Sequence, residues 1–337
     1  MKRIVGILLG VLLLAAAVLL AVQLVPRETK PEQPALLFRY ADNQPEGYPT
    51  TLAAVYFAEL VEERTDGKIG IRVFPDSVLG NEISVFRQMQ FGGIDFARLS
   101  VSTLSEFVPE ISILQLPYLF TDAEHMWRVL DGEIGEQLLD TIQPFGLVGM
   151  SWFDAGSRNI YTKTPVKSLD DMKRLRIRVQ ESDFLSRMVS LWGAVPEKIS
   201  YESVYSALQT GKIDGAENNW PSYEATGHYE VAPYYLLDAH SRLPEAQLIS
   251  RNALDEISAL GDEYVEIVLQ CAAESAQYER ELWKEREARS ETVVRESGCI
   301  VTELSEEEKT RFQEAVAPIY EEFSGESAEL IRRIQEE

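Results

Sequence analysis

Residues 175–219 constrain the fold more than any other stretch of this 337-residue chain. Leu175, Ile177 and Val179 alternate with Arg176 and Arg178, the period-two pattern of a strand with one apolar face and one face bearing two guanidinium groups. A helical segment is predicted to start near Ser182 and to close at Trp192 and Gly193. Ser200 is placed to cap a further helix, with Glu202 in its first turn, Val204, Ala207 and Leu208 at helical spacing, and Gly211 as its stop. Residues 212–219, K-I-D-G-A-E-N-N, then run through a strand into a loop of amides. Strand, helix, helix, strand with polar groups gathered at the strand ends is the pattern of an open α/β sheet. Such sheets bind ligands at the carboxyl ends of their strands, where Arg178 stands.

The rest of the chain extends this pattern. Strands are predicted at 36–40, 69–74 and 94–97, separated by helices at 50–61 and 82–90. Ser100, Ser102 and Thr103 follow the third strand, where helix cap and ligand contact are competing readings and position alone favours the cap. Thr121-Asp122-Ala123-Glu124 forms a capping box, and His125 in the turn after it reads as structural or solvated. A strand at 147–153 ends in a turn carrying Arg158, and Ser168-Leu169-Asp170-Asp171 caps a short helix. A helix and connection follow at 224–235. A strand at 236–240 leads back towards the first part of the chain. Apolar residues from 253 to 297 keep helical spacing through a very long helix with a break near Gly261. A short strand at 299–301 and a helix opened by Ser305-Glu306-Glu307-Glu308 complete the reading.

The motifs R-I-R-V-Q (176–180), W-G-A-V-P (192–196), V-Y-S-A-L-Q-T-G (204–211) and I-D-G-A-E-N-N (213–219) occur in an order that resembles the solute receptors of TRAP (tripartite ATP-independent periplasmic) transporters. The resemblance covers roughly residues 36–323 and includes an L-P-Y segment at Leu116-Pro117-Tyr118. It implies an α/β, two-domain, periplasmic-binding-protein-like fold with a hinge and a long domain-spanning helix. Residues 1–34 would be a signal or anchor segment and tether. Residues 35–155 with 244–285 would form the first domain, and 156–243 with 286–337 the second. It implies that Arg178 pairs with the ligand carboxylate, that Asn218 contacts the ligand, and that Arg158, in a turn matching the family's G-x-R element, faces it as well. A histidine near the hinge corresponds to His240. Two positions depart from the family pattern: Arg174 stands where glycine is usual, and Glu202 is displaced by one place after Pro196-Glu197-Lys198-Ile199.

The expected chemistry is capture of an organic anion. A guanidinium offers a carboxylate two parallel N–H bonds, which lysine cannot. Asn218 and Asn219 carry donors and acceptors suited to hydroxyls, Tyr201 can cover the apolar face of a sugar-like ring, and Glu82 and Ser100 are candidates from the first domain. A hexuronate or related sugar acid is favoured. The alternatives are a C4-dicarboxylate or 2-oxo acid, or a ligand-presenting adaptor for a sensor kinase. The implied partners are a small organic acid and two TRAP membrane subunits, one small and one large, with the receptor a monomer.

The net charge of −23 argues against nucleic acid, which needs a basic face. No G-x-S-x-G, G-x-G-x-x-G, P-loop or H-E-x-x-H occurs, so no enzyme, cofactor or metal is expected. Lys2 and Arg3 precede a charge-free apolar segment at 4–25, which marks export to the periplasm or the outer face of the membrane. A cleaved signal and a retained anchor both fit. Cys271 and Cys299 match no metal or redox spacing and read as two buried small apolar residues.

Overall fold

The computed structural model describes residues 33–337. The apolar segment at 4–25, on which export was argued, lies outside the described residues. Among the described residues no helix is long and apolar enough to cross a membrane.

The strands are β1 (Leu36–Ala41), β2 (Ile69–Phe74), β3 (Phe96–Ser100), β4 (Leu147–Phe153), β5 (Ser157–Thr162), β6 (Arg176–Val179), β7 (Val195–Lys198), β8 (Gly215–Asn218), β9 (Tyr234–Arg242), β10 (Glu245–Ser250) and β11 (Ile300–Glu303). They form two sheets, a five-stranded one in the order β2-β1-β3-β10-β4 and a six-stranded one in the order β11-β9-β5-β8-β6-β7. In the first, β1 runs parallel to β2 and β3, and β10 returns antiparallel between β3 and β4. In the second, β6 runs parallel to β7 and β8, while β5 is antiparallel to β8 and β9.

Each sheet is buried by helices whose apolar faces the sequence dictates. The helix Pro49–Arg64 starts with proline in its first turn and buries Ala53, Ala54, Phe57 and Val61. Phe57 packs edge-on against Phe96 of β3, ring centroids 5.5 Å apart. β3 is buried along its whole length because it has a strand on each side and helices on its faces.

The chain passes from sheet to sheet after β4, through Asp154-Ala155-Gly156, and again after β9, through Leu243-Pro244. At the first passage the Asp154 amide donates to Glu279 Oε2 at 2.8 Å. Gly156 has φ +61°, which strains any residue with a β-carbon, and such a carbon would press on Glu287 Oε1 at 2.5 Å and Trp283 Nε1 at 2.9 Å. The third link is the 35-residue helix Asp262–Glu296, about 52 Å long at 1.5 Å per residue. It packs against Pro49–Arg64 and β4 on the first lobe and against Trp220–Ala225 on the second. The expected break at Gly261 is present, separating this helix from Arg251–Leu260.

Several local expectations need correction. β5, β7 and β10 were not foreseen: Arg158 lies in β5 and not in a turn, and Pro196-Glu197-Lys198 and Glu245-Ala246-Gln247 carry little β-propensity and are held by their neighbours. Helices run at Trp220–Ala225 and His228–Val231 rather than from 224 onwards. The strand expected at 236–240 is the nine-residue β9, and the passage comes after it. Asp122, not Thr121, caps its helix, accepting from the His125 amide at 2.8 Å. Ser200 makes no capping hydrogen bond and donates to Glu202 at 2.6 Å instead. Both cysteines are free; Cys271 is buried and Cys299 only half-buried.

Arg174, the residue in place of the usual glycine, has φ +67°, a left-handed conformation that costs a residue with a β-carbon about 1 kcal/mol. Arg174→Gly is therefore expected to raise stability to urea by about 0.5–1 kcal/mol. An unchanged or lower midpoint would mean the backbone there is unstrained.

Candidate functional site

A cleft lies between the sheets where the carboxyl ends of β1, β3, β6 and β8 meet the opposite ends of β5 and β10. One wall carries Asn43, Gln44, Asn81, Glu82, Arg98, Thr103 and Glu245; the other carries Arg158, Arg178, Gln180, Glu181, Tyr201, Asn218 and Asn219. The walls already touch. Tyr201 Oη donates to Gln44 Oε1 at 3.1 Å, Ser102 Oγ to Gln180 Oε1 at 2.7 Å, and Tyr48 Oη shares a hydrogen bond with Ser222 Oγ at 2.9 Å.

Arg178 is 2% exposed. Its Nε donates to the Ile199 carbonyl at 2.7 Å, and among the described residues no carboxylate forms an ion pair with it. Burial holds its pKa below the ordinary guanidinium value, partly offset by the field of Glu217. Arg176, its neighbour on the same face, is neutralised: Nε and Nη2 make a fork onto the Asp214 carboxylate at 2.9 and 2.7 Å. The strand thus carries one satisfied and one waiting guanidinium.

Arg158 is satisfied within the protein. It donates from Nε to Glu217 Oε2 at 2.5 Å, from Nη1 to Asn218 Oδ1 at 3.1 Å and from Nη2 to the Glu217 carbonyl at 3.1 Å. Glu217 also lies 3.5 Å from His240 Nε2, and His240 Nδ1 lies 2.7 Å from Asp238 Oδ2. The result is an alternating buried chain, Arg158⁺–Glu217⁻–His240⁺–Asp238⁻. Burial alone would raise the Glu217 carboxyl, but Arg158 and His240 pull it down to about 2. Burial alone would lower the His240 imidazolium, but Asp238 and Glu217 hold it up at about 9.

The opposite wall centres on Arg98, 1% exposed and unremarked in the sequence reading. It contacts Asp42 through Nε and Nη2, Asn43 through Nη2, and both Glu82 and Glu245 through Nη1. Three carboxylates share one guanidinium. Burial accordingly pushes the Glu245 carboxyl up to about 8, against the pull of Arg98. Glu82 additionally accepts from Ser100 Oγ at 2.6 Å and Thr103 Oγ1 at 2.7 Å.

The sequence-named residues therefore divide. Arg178, Arg158, Asn218, Asn219, Glu82 and Tyr201 line the cleft. Ser100 stands behind Glu82 and caps Val101–Leu104, and Thr103 takes the lining position. Asn219 caps Trp220–Ala225, accepting from the Ser222 amide and donating to the Ala155 carbonyl, each at 2.8 Å. Asn218 accepts through Oδ1, leaving Nδ2 without a hydrogen bond among the described residues. Among the described residues no three metal-ligand side chains converge.

The profile of the bacterial extracellular solute-binding proteins, family 7, matches residues 40–326. The chain belongs to this family. Among similar proteins, a solute-binding protein of Chromohalobacter salexigens is 36% identical over 85% of this chain and 84% of its own length. A TRAP periplasmic solute-binding protein of a Bradyrhizobium species, in complex with α/β-D-galacturonate, is 40% identical with a TM-score of 0.86, covering 89% of this chain and 99% of its own. The Xanthobacter autotrophicus counterpart, with bound β-D-galacturonate, is 39% identical at a TM-score of 0.85, with the same two coverages. This family 7 protein is a TRAP-type solute receptor, not an enzyme, and its place is extracytoplasmic. Its two-lobed fold is that of the family.

Proposed function

We propose that this receptor binds a hexuronate, with Arg178 taking the carboxylate and the Arg98 wall taking hydroxyls. The observation that carries the reading is the buried Arg178 guanidinium with no carboxylate partner among the described residues, an arrangement costly to keep unless a ligand supplies the counter-charge. Arg158 is already neutralised by Glu217, so a second carboxylate would meet no waiting cation. Across the cleft it would meet the Glu82 carboxylate, which shares Arg98 with the buried Asp42, and Glu245, which burial keeps mostly protonated at neutral pH. Those oxygens are good acceptors for hydroxyls and poor company for an anion, which favours a polyhydroxylated monoacid over a C4-dicarboxylate. The galacturonate in the Bradyrhizobium and Xanthobacter relatives supports the same class. Asn218 offers its Nδ2 and Tyr201 its ring to the sugar.

The first lobe in this reading is residues 35–155 with 244–285 and the second 156–243 with 286–337, and the ligand holds them closed. Two TRAP membrane subunits then receive the loaded form, and residues 1–34 carry the chain out of the cytoplasm. A thermal-shift panel of D-galacturonate, D-glucuronate, succinate and pyruvate tests the ligand class. The hexuronates are expected to raise the melting temperature and succinate to leave it unchanged. A response to succinate alone would replace this reading with the dicarboxylate one. X-ray scattering tests closure: the radius of gyration is expected to fall on adding the active hexuronate. A profile unchanged by a tightly bound ligand would make this a rigid binding module.

A further inference from the structure

The ligand cleft does not end at Tyr201. A second depression shares Asn43, Tyr201 and Glu202 with it and opens beyond them, between Asp76-Ser77 on the first lobe and Tyr205 and His228 on the second. Nothing in the capture of a single hexuronate uses Asp76, Ser77, Tyr205 or His228.

Three observations mark the depression as built for a ligand. His228 is 1% exposed. Its Nδ1 is bonded to Tyr161 Oη at 2.7 Å, while Nε2 has no hydrogen bond among the described residues, on a side chain lining the depression. Burial, with the field of Arg178, lowers its pKa to about 3, so the ring is neutral and can bond a hydroxyl. Tyr205 lies beside it, ring centroids 6.4 Å apart and planes 30° from parallel. Its Oη is anchored to Glu230 at 3.1 Å. Both residues line the depression.

The third observation is the loop opposite. Asp76 and Ser77 are consecutive non-glycine residues with φ +55° and +56°. Their amides are pinned to the Gln44 and Asp42 carbonyls at 2.9 and 3.2 Å, and Ser77 Oγ is buried without a hydrogen bond. Backbone held in this region against its preference gathers at ligand clamps. The charge of the depression is equally informative. Asp76 and Glu202 line it and, among the described residues, no lysine or arginine does, so it disfavours a second carboxylate.

Resting on the reading of Arg178 as the carboxylate anchor, we infer that Asn43, Ser77, Tyr205 and His228 form a second carbohydrate subsite. The receptor then accepts a hexuronate joined to a neutral second sugar, an aldobiouronate, as well as the free hexuronate. The uronate sits on Arg178, and the neutral sugar lies against the Tyr205 ring with a hydroxyl on His228 Nε2. The Tyr201 phenol, which stands between the two spaces bonded to Gln44, swings aside for the glycosidic linkage.

Calorimetry with matched probes tests this. D-glucuronate is paired with glucuronosyl-xylose, D-galacturonate with galacturonosyl-rhamnose, and the pair whose monosaccharide binds tighter is used. The disaccharide is expected to bind within about threefold of its monosaccharide. Tyr205→Ala is expected to weaken the disaccharide about tenfold, the worth of one lost ring contact, and to leave the monosaccharide unchanged. Tyr205→Phe, which keeps the ring, is expected to match wild type for both. A monosaccharide that binds beside a disaccharide that does not overturns the subsite and leaves the hexuronate reading standing. So does a disaccharide whose affinity ignores Tyr205→Ala. If neither sugar acid binds, the Arg178 reading falls and takes the subsite with it.

Discussion

Arg178→Ala is expected to lower hexuronate affinity by two to three decades or more while the empty receptor stays folded and loses little stability. A charge-assisted, two-pronged contact in a dry site is worth about 3–5 kcal/mol when one partner is removed. Nothing comparable is lost in the empty protein, because Arg178 gives up only its hydrogen bond to the Ile199 carbonyl and a buried unpaired charge disappears with it. The contrast is what decides the role. Calorimetry reads the affinity, and urea denaturation of the ligand-free protein reads the stability. A mutant that binds normally removes Arg178 from the ligand's first contacts, and one that unfolds would make it a structural ion.

The opposite behaviour is expected at Arg158. Arg158→Met leaves the fully buried Glu217 with His240 alone, and is expected to cost about 3–5 kcal/mol of stability even without ligand. An unchanged denaturation midpoint would mean that the Arg158–Glu217 pair contributes nothing net.

The same chain of charges predicts a pH window. The folded Glu217 carboxyl is depressed to about 2 from 4.5, so its contribution is present above 4.5 and is lost as pH falls towards 2. The folded His240 ring is raised to about 9 from 6.5, so its contribution is complete below 6.5 and is lost as pH rises through 9. The contribution of these two groups is therefore greatest between about pH 4.5 and 6.5; the Glu245 carboxyl, raised to about 8 from 4.5, adds its own loss with rising pH, and the His228 ring, lowered to about 3 from 6.5, its own loss with falling pH. On the alkaline side His240 alone should take away about 3 kcal/mol by pH 9.5, the size of its shift, on top of the loss from Glu245. His240→Gln is expected to flatten that alkaline limb. A wild-type midpoint that is level from pH 6 to 9.5 would rule out a charged His240.

Much of this architecture could be read in the chain because the patterns that encode it are local. The alternation at 175–179, the stop at Gly211 and the glycine break at 261 all appear where expected. What escaped was set by distant partners. Arg98 sits in a strand whose five residues are all buried, and its three carboxylates come from positions 42, 82 and 245. A lone charge in a doubly covered strand could have flagged it, since such a charge must find partners. Nothing local marked Glu245, whose strand is held by neighbours on both sides. The difference between Arg158 and Arg178 was likewise invisible in sequence. Both are arginines at sheet ends, and only the packing of Glu217 beside one of them separates a structural charge from a free one. Asn219 had a usable signal: an asparagine followed two residues on by proline is a helix start.

The two cysteines add a clock. Cys271 is wholly buried in the core of the first lobe, where burial also raises its pKa. Cys299 is half-buried beside Tyr223 and Tyr229 in the second. They stand on the order of 40 Å apart along the long helix, too far to join. A thiol reagent added to the native receptor would thus report two separate events in one chain: an early reaction timed by local breathing of the second lobe, and a late one timed by disruption of the first. The interval between them measures how independently the two halves come apart.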